Sequence, residues 1–376
     1  MPDVAVIFGG PSPEHDVSVL TGLQAAHELT GTGGGEVRAL YWAKSGDWFE
    51  VDPGLEAIAF VDGVPRGAVP LRLTVGPSGG FTSEGSRFGK GKGVALGVAL
   101  VCCHGGPGED GTLQGVLDLA GIPYTGPSLA GAAIGMDKLA FGAAMQSAGL
   151  PVLPRVALDV QTTEVGFEGP FILKPRFGGS SIGIQVVADV ETAVAQLRVN
   201  PHFRAGAVVE PYLESHFDLQ IALRSCPALE LSTIERPLRT ARAGGAAGEP
   251  EILGYADKYV GGEGMASAPR ELPAAINREL SERIDQVTRR VASLVSLRGI
   301  ARLDFLSDGS NLFVNEINTI PGSLARYLWI DPEIPFRQLL SDLITEAAER
   351  PTHVYGTAGA DGTVLRGASS IAAKLA

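Results

Sequence analysis

Residues 301–322, ARLDFLSDGSNLFVNEINTIPG, hold two short apolar runs split by Ser307, Asp308, Gly309 and Ser310. Turn formers between two such runs predict a β-hairpin. Residues two apart on a strand share a face, so Arg302 falls with Asp304 and Glu316 with Asn318. If the strands pair in matching register, three oxygen ligands and one guanidinium meet on that face. Such hard oxygen ligands suit Mg²⁺, which takes one or two carboxylates and completes its shell with phosphate and water. The same alternation also fits a surface hairpin with polar residues on its wet side, and spacing alone leaves the two readings level.

A chain of 376 residues is too long for one small core, so two or three domains are expected. With 45% hydrophobic and 19% charged residues it reads as an ordinary globular protein. The net charge of −12 removes nucleic acid from the expected partners, because a phosphodiester backbone needs a basic face. A polyphosphate stays open, since a few local cations suffice for it. Cys102 and Cys103 are adjacent and Cys226 is distant, which gives neither a disulfide scaffold nor zinc spacing. No run reaches the ~20 apolar residues of a membrane span, and the opening MPDVAVIFGG lacks a basic flank and a long apolar core. The expected address is a reducing cytoplasm, with no membrane partner.

Taken in order, Val4–Phe8, Gly9-Gly10 and a helical pattern from Val17 to Leu29 read as strand, glycine turn and helix, the opening of a parallel α/β layer. Residues 31–35, GTGGG, follow the helix instead of opening it, so they read as a helix stop and loop. Residues 43–92 are rich in Gly and Pro, with strand-like pieces at Trp48–Val51 and Leu71–Val75, and read as an insertion without chemistry. A strand over Val94–Cys103 ends in HGGPGEDG before a helix at Thr112–Ala120. That polar cluster lies at the carboxyl end of a strand, where open α/β sheets place ligands. Glu109 and Asp110 also fit as first-turn acids of the helix.

One helix is predicted over Leu129–Ala148, with Met136-Asp137-Lys138 inside it. A strand ending at Lys174 runs into Gly178–Gly183 and a second strand, Ile184–Val187. Glycines between two strands let backbone N–H groups approach phosphate oxygens closely. Because no Gly-Lys-Ser/Thr opens a helix there, this is not a P-loop. Ala207–Leu213, Leu219–Leu223 and Leu229–Thr233 are further strands, and Asn277–Leu297 and Pro335–Glu349 are helices. The polar stretch from Pro237 to Pro250, continuing to Tyr259, is longer than the ~12 residues usual for a connection and reads as a lid.

Six motifs occur in one order: FGGPSPEHDVS, HGGPGEDGTLQG, YTGPS with MDK, ILKPRFGGSSIG, ADKY, and ARLDF with NEINTIPG. Through them the chain from Val4 to about Gly322 resembles the D-alanine–D-alanine ligase family of the ATP-grasp superfamily. The resemblance implies an α/β (α+β) ATP-grasp fold of three domains. These are a Rossmann-like domain at 1–126 with the insertion at about 43–92, a central subdomain at 127–209, and a catalytic subdomain at 210–350 with the lid at about 237–260. A tail, 351–376, follows without an assigned role. It also implies a homodimer that uses ATP with two Mg²⁺ ions, or Mn²⁺ in their place.

Carried over by position, the resemblance sets Lys138 and Lys174 on the ATP phosphates as point charges. Gly179, Ser180 and Ser181 would close over the β- and γ-phosphates. Glu210 and Leu213 would frame adenine, and Asp218, where the family usually has Glu, would bind the ribose. Lys258 on the lid would reach the γ-phosphate as closure expels water. Asp304, Glu316 and Asn318 would hold the ions. Glu14 would take the first substrate's ammonium in a pocket lined by His104, and Ser180 would pair with Tyr259 near the second amine. Arg302 would stabilise the oxyanion of the tetrahedral intermediate, a contribution of ~3–4 kcal/mol for one well-aimed donor.

The implied reaction has two steps: a carboxylate takes the γ-phosphoryl group to give an acyl phosphate and ADP, and an amine then displaces phosphate. Beyond Gly322, itself expected at the substrate, the family usually has a Ser that clamps the second carboxylate. Tyr327 stands at that place, and Arg326 offers another carboxylate grip. The expected function is D-alanyl-D-alanine synthesis for peptidoglycan precursors. Two alternatives stay open: the same chemistry with a different second amino acid or amine, and a nucleotide-binding paralogue without ligase activity.

Overall fold

The computed structural model describes residues 2–31, 35–76, 79–83, 91–238, 269–350, 356–368 and 370–375. The mixed α/β architecture is built on three larger sheets. The first contains β1 (Val4–Gly9), β2 (Val37–Trp42), β3 (Trp48–Val51), β4 (Val69–Thr74), β5 (Gly80–Ser83) and β6 (Val98–Val101), in the order β5-β4-β3-β2-β1-β6. β1 runs parallel to β2 and to β6, and all six of its residues are buried, as expected of a strand covered on both faces. α1 (His15–Leu29) crosses from β1 to β2, whereas β6 lies on the other side of β1. This reversal opens a crevice at the carboxyl ends of β1 and β6, the usual ligand position in open α/β sheets. Gly9-Gly10, with φ of 92° and 99°, and the residues after Val101 form its rim. Residues 43–92 add three antiparallel strands to the edge of this sheet, and Trp42 stacks on Trp48 at 4.8 Å between ring centroids.

α2 (Thr112–Ala120) follows the HGGPGEDG motif. The single helix predicted at Leu129–Ala148 is two helices, α3 (Leu129–Met136) and α4 (Lys138–Ser147). Asp137 breaks the run: its ψ of 102° leaves the helical range, and its carboxylate accepts the N–H groups of Leu139 and Ala140, capping α4. Lys138 therefore stands at a helix start.

The second sheet holds β7 (Val156–Leu158), β8 (Phe171–Pro175), β9 (Gln185–Val187) and β10 (Ala207–Pro211), in the order β7-β10-β8-β9. β8 and β9 form the expected hairpin around the glycine loop. In the third sheet, β11 (Phe217–Arg224), β12 (Glu230–Leu231), β15 (Ile300–Ser307) and β16 (Leu312–Asn318) run in the order β12-β11-β15-β16; β13 (Arg236–Pro237) and β14 (Arg270–Glu271) make a small separate pair.

The hairpin predicted at 301–322 is β15 and β16. Arg302 pairs with Asn318 and Asp304 with Glu316, but the next pair is Phe305 with Val314, so Asn315 is bulged out. The bulge has a clear cause. Phe305, Leu312, Val314 and Ile317 all belong to one core, and without the extra residue Asn315 would be carried onto the buried face opposite Phe305.

After β16 the chain turns back into the core of the first sheet. Ile320, Leu324, Leu328 and Trp329, with Leu339 and Leu343 of α5 (Phe336–Glu349), share one hydrophobic core with Ile7 and Leu100. Ser323, Leu324 and Ala325 are left-handed there, with φ of 50°, 49° and 51°. Among the described residues no helix is long and apolar enough to cross a membrane.

The α1–β1 contact leaves no room at Gly22, where an added Cβ would lie 2.3 Å from Cβ of Phe8. Gly22→Ala is expected to cost about 1–3 kcal/mol of stability, read as a lower urea midpoint. An unchanged midpoint would refute this packing.

Candidate active site

Lys174 and Glu210 meet between neighbouring strands of the second sheet. Lys174 Nζ donates to Glu210 Oε2 at 2.8 Å and to Asn315 Oδ1 at 3.0 Å, and Arg155 Nε lies 2.9 Å from Glu210 Oε1. Burial alone would raise the Glu210 carboxyl, but Lys174 and Arg155 outweigh it and hold the group below its ordinary pKa. That carboxylate is committed to two cations, and the Glu210 backbone pairs with Ile172 of β8. Arg155 and Asn315 were not expected. Arg155 also donates to the carbonyls of Lys138 and Asn315, so the bulge in β16 is tied to the start of α4.

Lys174, Glu210 and Asn315 line an open cleft of about 890 Å³, together with Lys138, Gly179, Ser181, Leu213, Asp218, Asp304 and Glu316. Nine sequence-selected residues are thus brought together: those seven, Lys174 and Glu210. Burial lowers the pKa of the Lys138 ammonium, and the Glu316 carboxylate 3.8 Å away opposes the shift. Lys138 Nζ donates to the Gly178 carbonyl, and Arg176 forms a two-bond pair with Asp137, so the glycine loop is held at both sides of the α3–α4 break. Ser180 and Ser181 are left-handed (φ 52° and 58°), and Ser180 Oγ donates to the Glu14 carboxylate. Lys258 and Tyr259, and with them the expected Ser180–Tyr259 pair, lie outside the described residues.

On the third sheet Arg302 grips Asp304 through two parallel bonds, Nε to Oδ1 at 2.7 Å and Nη2 to Oδ2 at 2.8 Å. The amide nitrogens of Gln220 and Asn318 each donate to Asp304 Oδ2 at 3.3 Å. Among the described residues no group of three or more His, Cys, Asp or Glu side chains is placed to hold a metal ion. Two facing carboxylates with a neighbouring amide nonetheless fit Mg²⁺, which completes its shell with phosphate oxygens and water.

A second, smaller space of about 340 Å³ adjoins the cleft and is lined by Glu14, Glu109, Lys138, Gly179, Glu316 and Asn318. Glu109 is no simple first-turn acid. Its buried carboxylate accepts the N–H groups of Gly105 (2.8 Å) and Ile320 (2.9 Å) and the Thr319 hydroxyl, and burial followed by the nearby Glu14 pushes its pKa up to about 7. Asp110 does behave as a turn acid, accepting the Thr112 N–H.

His104 departs from its expected place on the wall of the substrate pocket. Its Nδ1 donates to the Ile320 carbonyl at 2.6 Å, which leaves Nε2 to accept from the Thr21 hydroxyl at 2.7 Å, and Thr21 Oγ1 accepts the Ser323 N–H. With both ring nitrogens engaged inside the protein, His104 bolts the turn after β16 to α1. Burial lowers its pKa to about 4, so the ring is neutral at neutral pH.

Arg326 also departs from expectation. Its side chain is exposed and its guanidinium sits over the Phe336 ring, so it is turned away from Arg302. Tyr327 instead lies beneath the Arg270 guanidinium, 4.5 Å from the ring centroid, with Arg302 and Glu235 facing its hydroxyl. Gly322 is buried at the start of this turn. Glu235 escaped the sequence reading because it stands just before the two-residue β13, where alternation is too short to show a face.

Glu109 and His104 give opposite pH dependences. The Glu109 carboxyl is raised from 4.5 to about 7, so the folded state binds the extra proton and this contribution to stability is lost between pH 4.5 and 7. The His104 ring is lowered from 6.5 to about 4, so its contribution is gained between pH 4 and 6.5. Glu109→Gln removes the falling component. Urea unfolding at pH 5 and pH 7 should then show stability rising with pH by about 2 kcal/mol more than in the parent protein, and equal pH slopes would refute the assignment.

The family model for the D-ala D-ala ligase N-terminus matches residues 3–127, and that for the D-ala D-ala ligase C-terminus matches residues 144–345. The D-alanine–D-alanine ligase of Mycolicibacterium gilvum (strain PYR-GCK) is 30% identical over 93% of this chain and 98% of its own length. That of Synechococcus sp. (strain CC9605) is 30% identical over 92% and 98%. Among solved structures, the D-alanine–D-alanine ligase of Helicobacter pylori superposes with a TM-score of 0.71 at 22% identity, covering 94% of this chain and 100% of that one. The VanG D-Ala:D-Ser ligase of Enterococcus faecalis gives 0.73 at 22%, covering 92% and 99%.

Proposed function

Because the chain belongs to the D-alanine–D-alanine ligase family, whose members spend ATP to couple a carboxylate to an amine, we propose that it joins two molecules of D-alanine for peptidoglycan precursors. The observation that carries this reading is the shared wall of the two spaces: Lys138, Gly178, Gly179 and Glu316 line both the long cleft and the small pocket beside Glu14. A triphosphate in the first would end where a carboxylate in the second begins.

The first amino acid places its ammonium against Glu14 and Glu109 and its carboxylate toward Lys138 and the Arg302–Asp304–Glu316 face. Lys138 and Lys174 neutralise the phosphates, and the glycine loop holds the terminal phosphoryl group in line with the attacking oxygen. Mg²⁺ held by Asp304, Glu316 and Asn318 supplies charge neutralisation on the phosphate oxygens. The transfer gives an acyl phosphate and ADP. The amine of the second D-alanine attacks that carbonyl, Arg302 stabilises the oxyanion, and phosphate leaves. Three free cysteines, two of them buried, suit a cytoplasmic enzyme acting on free amino acids, and the same reading includes a homodimer.

Incubation with ATP, Mg²⁺ and D-alanine alone is expected to release ADP and phosphate and to yield D-alanyl-D-alanine by mass spectrometry. Turnover that requires a different acceptor would overturn the product assignment. Arg302→Ala should lower the ligation rate by about 10²–10³-fold with ATP affinity changed only a few-fold. Weakened ATP binding at normal turnover would count against the oxyanion role.

A further inference from the structure

One row of side chains crosses the third sheet. Glu235 pairs with Gln220 through both backbone hydrogen bonds, Gln220 pairs with Asp304, and Asp304 pairs with Glu316, so all four project from the same face. The Glu316 end lies at the pocket assigned to the first amino acid. Glu235 stands at the other end, on the far side of Asp304 and its partner Arg302. Glu235 is 2% exposed, and Arg270 Nη1 lies 3.4 Å from its Oε1. Its second oxygen, Oε2, has no hydrogen-bond partner among the described residues, and neither has Oε1 of the buried Gln220 beside it. Two buried acceptor oxygens side by side are costly unless a donor reaches them, and a group with several N–H bonds satisfies both at once. The Arg270 guanidinium above the Tyr327 ring adds a forked donor suited to a carboxylate.

We infer that Glu235, Gln220 and Arg270 form the subsite of the second amino acid, a small zwitterion whose ammonium rests on Glu235 and Gln220 and whose carboxylate faces Arg270. This rests on the ligase reading above. The row sets the incoming nitrogen on the side of Arg302 and Asp304 opposite the first substrate, from which it approaches the activated carbonyl. Tyr327 closes the subsite beneath Arg270, which limits the acceptor to a short side chain. Burial raises the Glu235 carboxyl, with Arg270 and then Arg302 opposing, so the group gains by meeting a cation.

The test separates the two halves of the reaction by changing the acceptor. Hydroxylamine, a small amine without a carboxylate, traps the activated first D-alanine as a hydroxamate, whereas D-alanine as acceptor reports on the complete subsite. For Arg270→Ala and Glu235→Gln, the KM for the second D-alanine is expected to rise tenfold or more, while hydroxamate formation falls less than threefold. Arg270→Lys, which keeps the charge and loses the fork, should lie between Arg270→Ala and the parent protein. An acceptor KM within twofold of the parent in Arg270→Ala overturns the inference. So does a parallel fall of hydroxamate and dipeptide formation in both Arg270→Ala and Arg270→Lys, which would mark a structural role. Failure of the parent protein to form any hydroxamate from D-alanine would overturn the ligase reading itself, and this inference with it.

Discussion

The bulge at Asn315 is the constraint on which the site depends. β16 must bury Leu312, Val314 and Ile317 while presenting Glu316 and Asn318 to the opposite face, and a strict two-residue alternation cannot do both. One extra residue resets the alternation between Val314 and Glu316. The residue expelled is put to use: its side chain receives Lys174 and its carbonyl receives Arg155. A single irregularity thereby fixes the cross-strand pairs Asp304–Glu316 and Arg302–Asn318 and ties the second sheet to the third. Bulges recur beside active sites because they re-aim side chains without giving up the core.

Around that anchor the charges are arranged in opposed sets. Lys138, Lys174 and Arg155 are buried within reach of Glu210 and Glu316, and removing any one partner would strand an uncompensated charge away from water. Such an arrangement is weak as stabilisation, since the desolvation of each ion offsets much of its Coulombic gain. In the proposed reading its use is to hold cations in fixed positions before a polyanion arrives, so that little reorganisation is needed when charge moves between phosphate and carboxylate. The ligase chemistry gives the desolvation cost a purpose that the fold alone does not.

Much of this was legible in the sequence, for identifiable reasons. The strand–glycine–helix opening, the β8–β9 hairpin and the 301–322 hairpin follow from periodicity and turn residues, and the two-apart rule placed Arg302 with Asp304 and Glu316 with Asn318 on the face that the structure shows. What escaped was set by tertiary partners. Asp137 breaks a helix because Arg176, distant in sequence, rewards its departure from helical geometry. His104 looks like a pocket residue by its position after a strand, but Ile320 and Thr21 consume both ring nitrogens. Arg326 was singled out beside Tyr327, and only the fold shows that it is Arg270 that faces the Tyr327 ring. Glu109 could have been suspected, since an acid one turn after a Gly-rich strand end has nearby N–H groups to accept, yet its bond to Ile320 spans most of the chain.

The two substrate halves also differ in what holds them. In the proposed reading the first amino acid would be received by groups from the crevice of the first sheet, Glu14 and Glu109, acting with residues of the other layers. Glu235, Gln220 and Arg270 belong instead to the third sheet and its small neighbouring pair. The turn at Ser323–Ala325 joins these halves. Its first residue donates to Thr21 and so to the His104 bolt, and Tyr327 follows within one helical turn. Three consecutive left-handed residues cost roughly 1–2 kcal/mol each, and the burial of Leu324, Ala325 and Leu328 in the core of the first sheet offsets that cost. A relaxed turn would carry Tyr327 off the Arg270 guanidinium. In the proposed reading the strain therefore sets the width of the acceptor end independently of the phosphate chemistry at the Arg302–Asp304–Glu316 face.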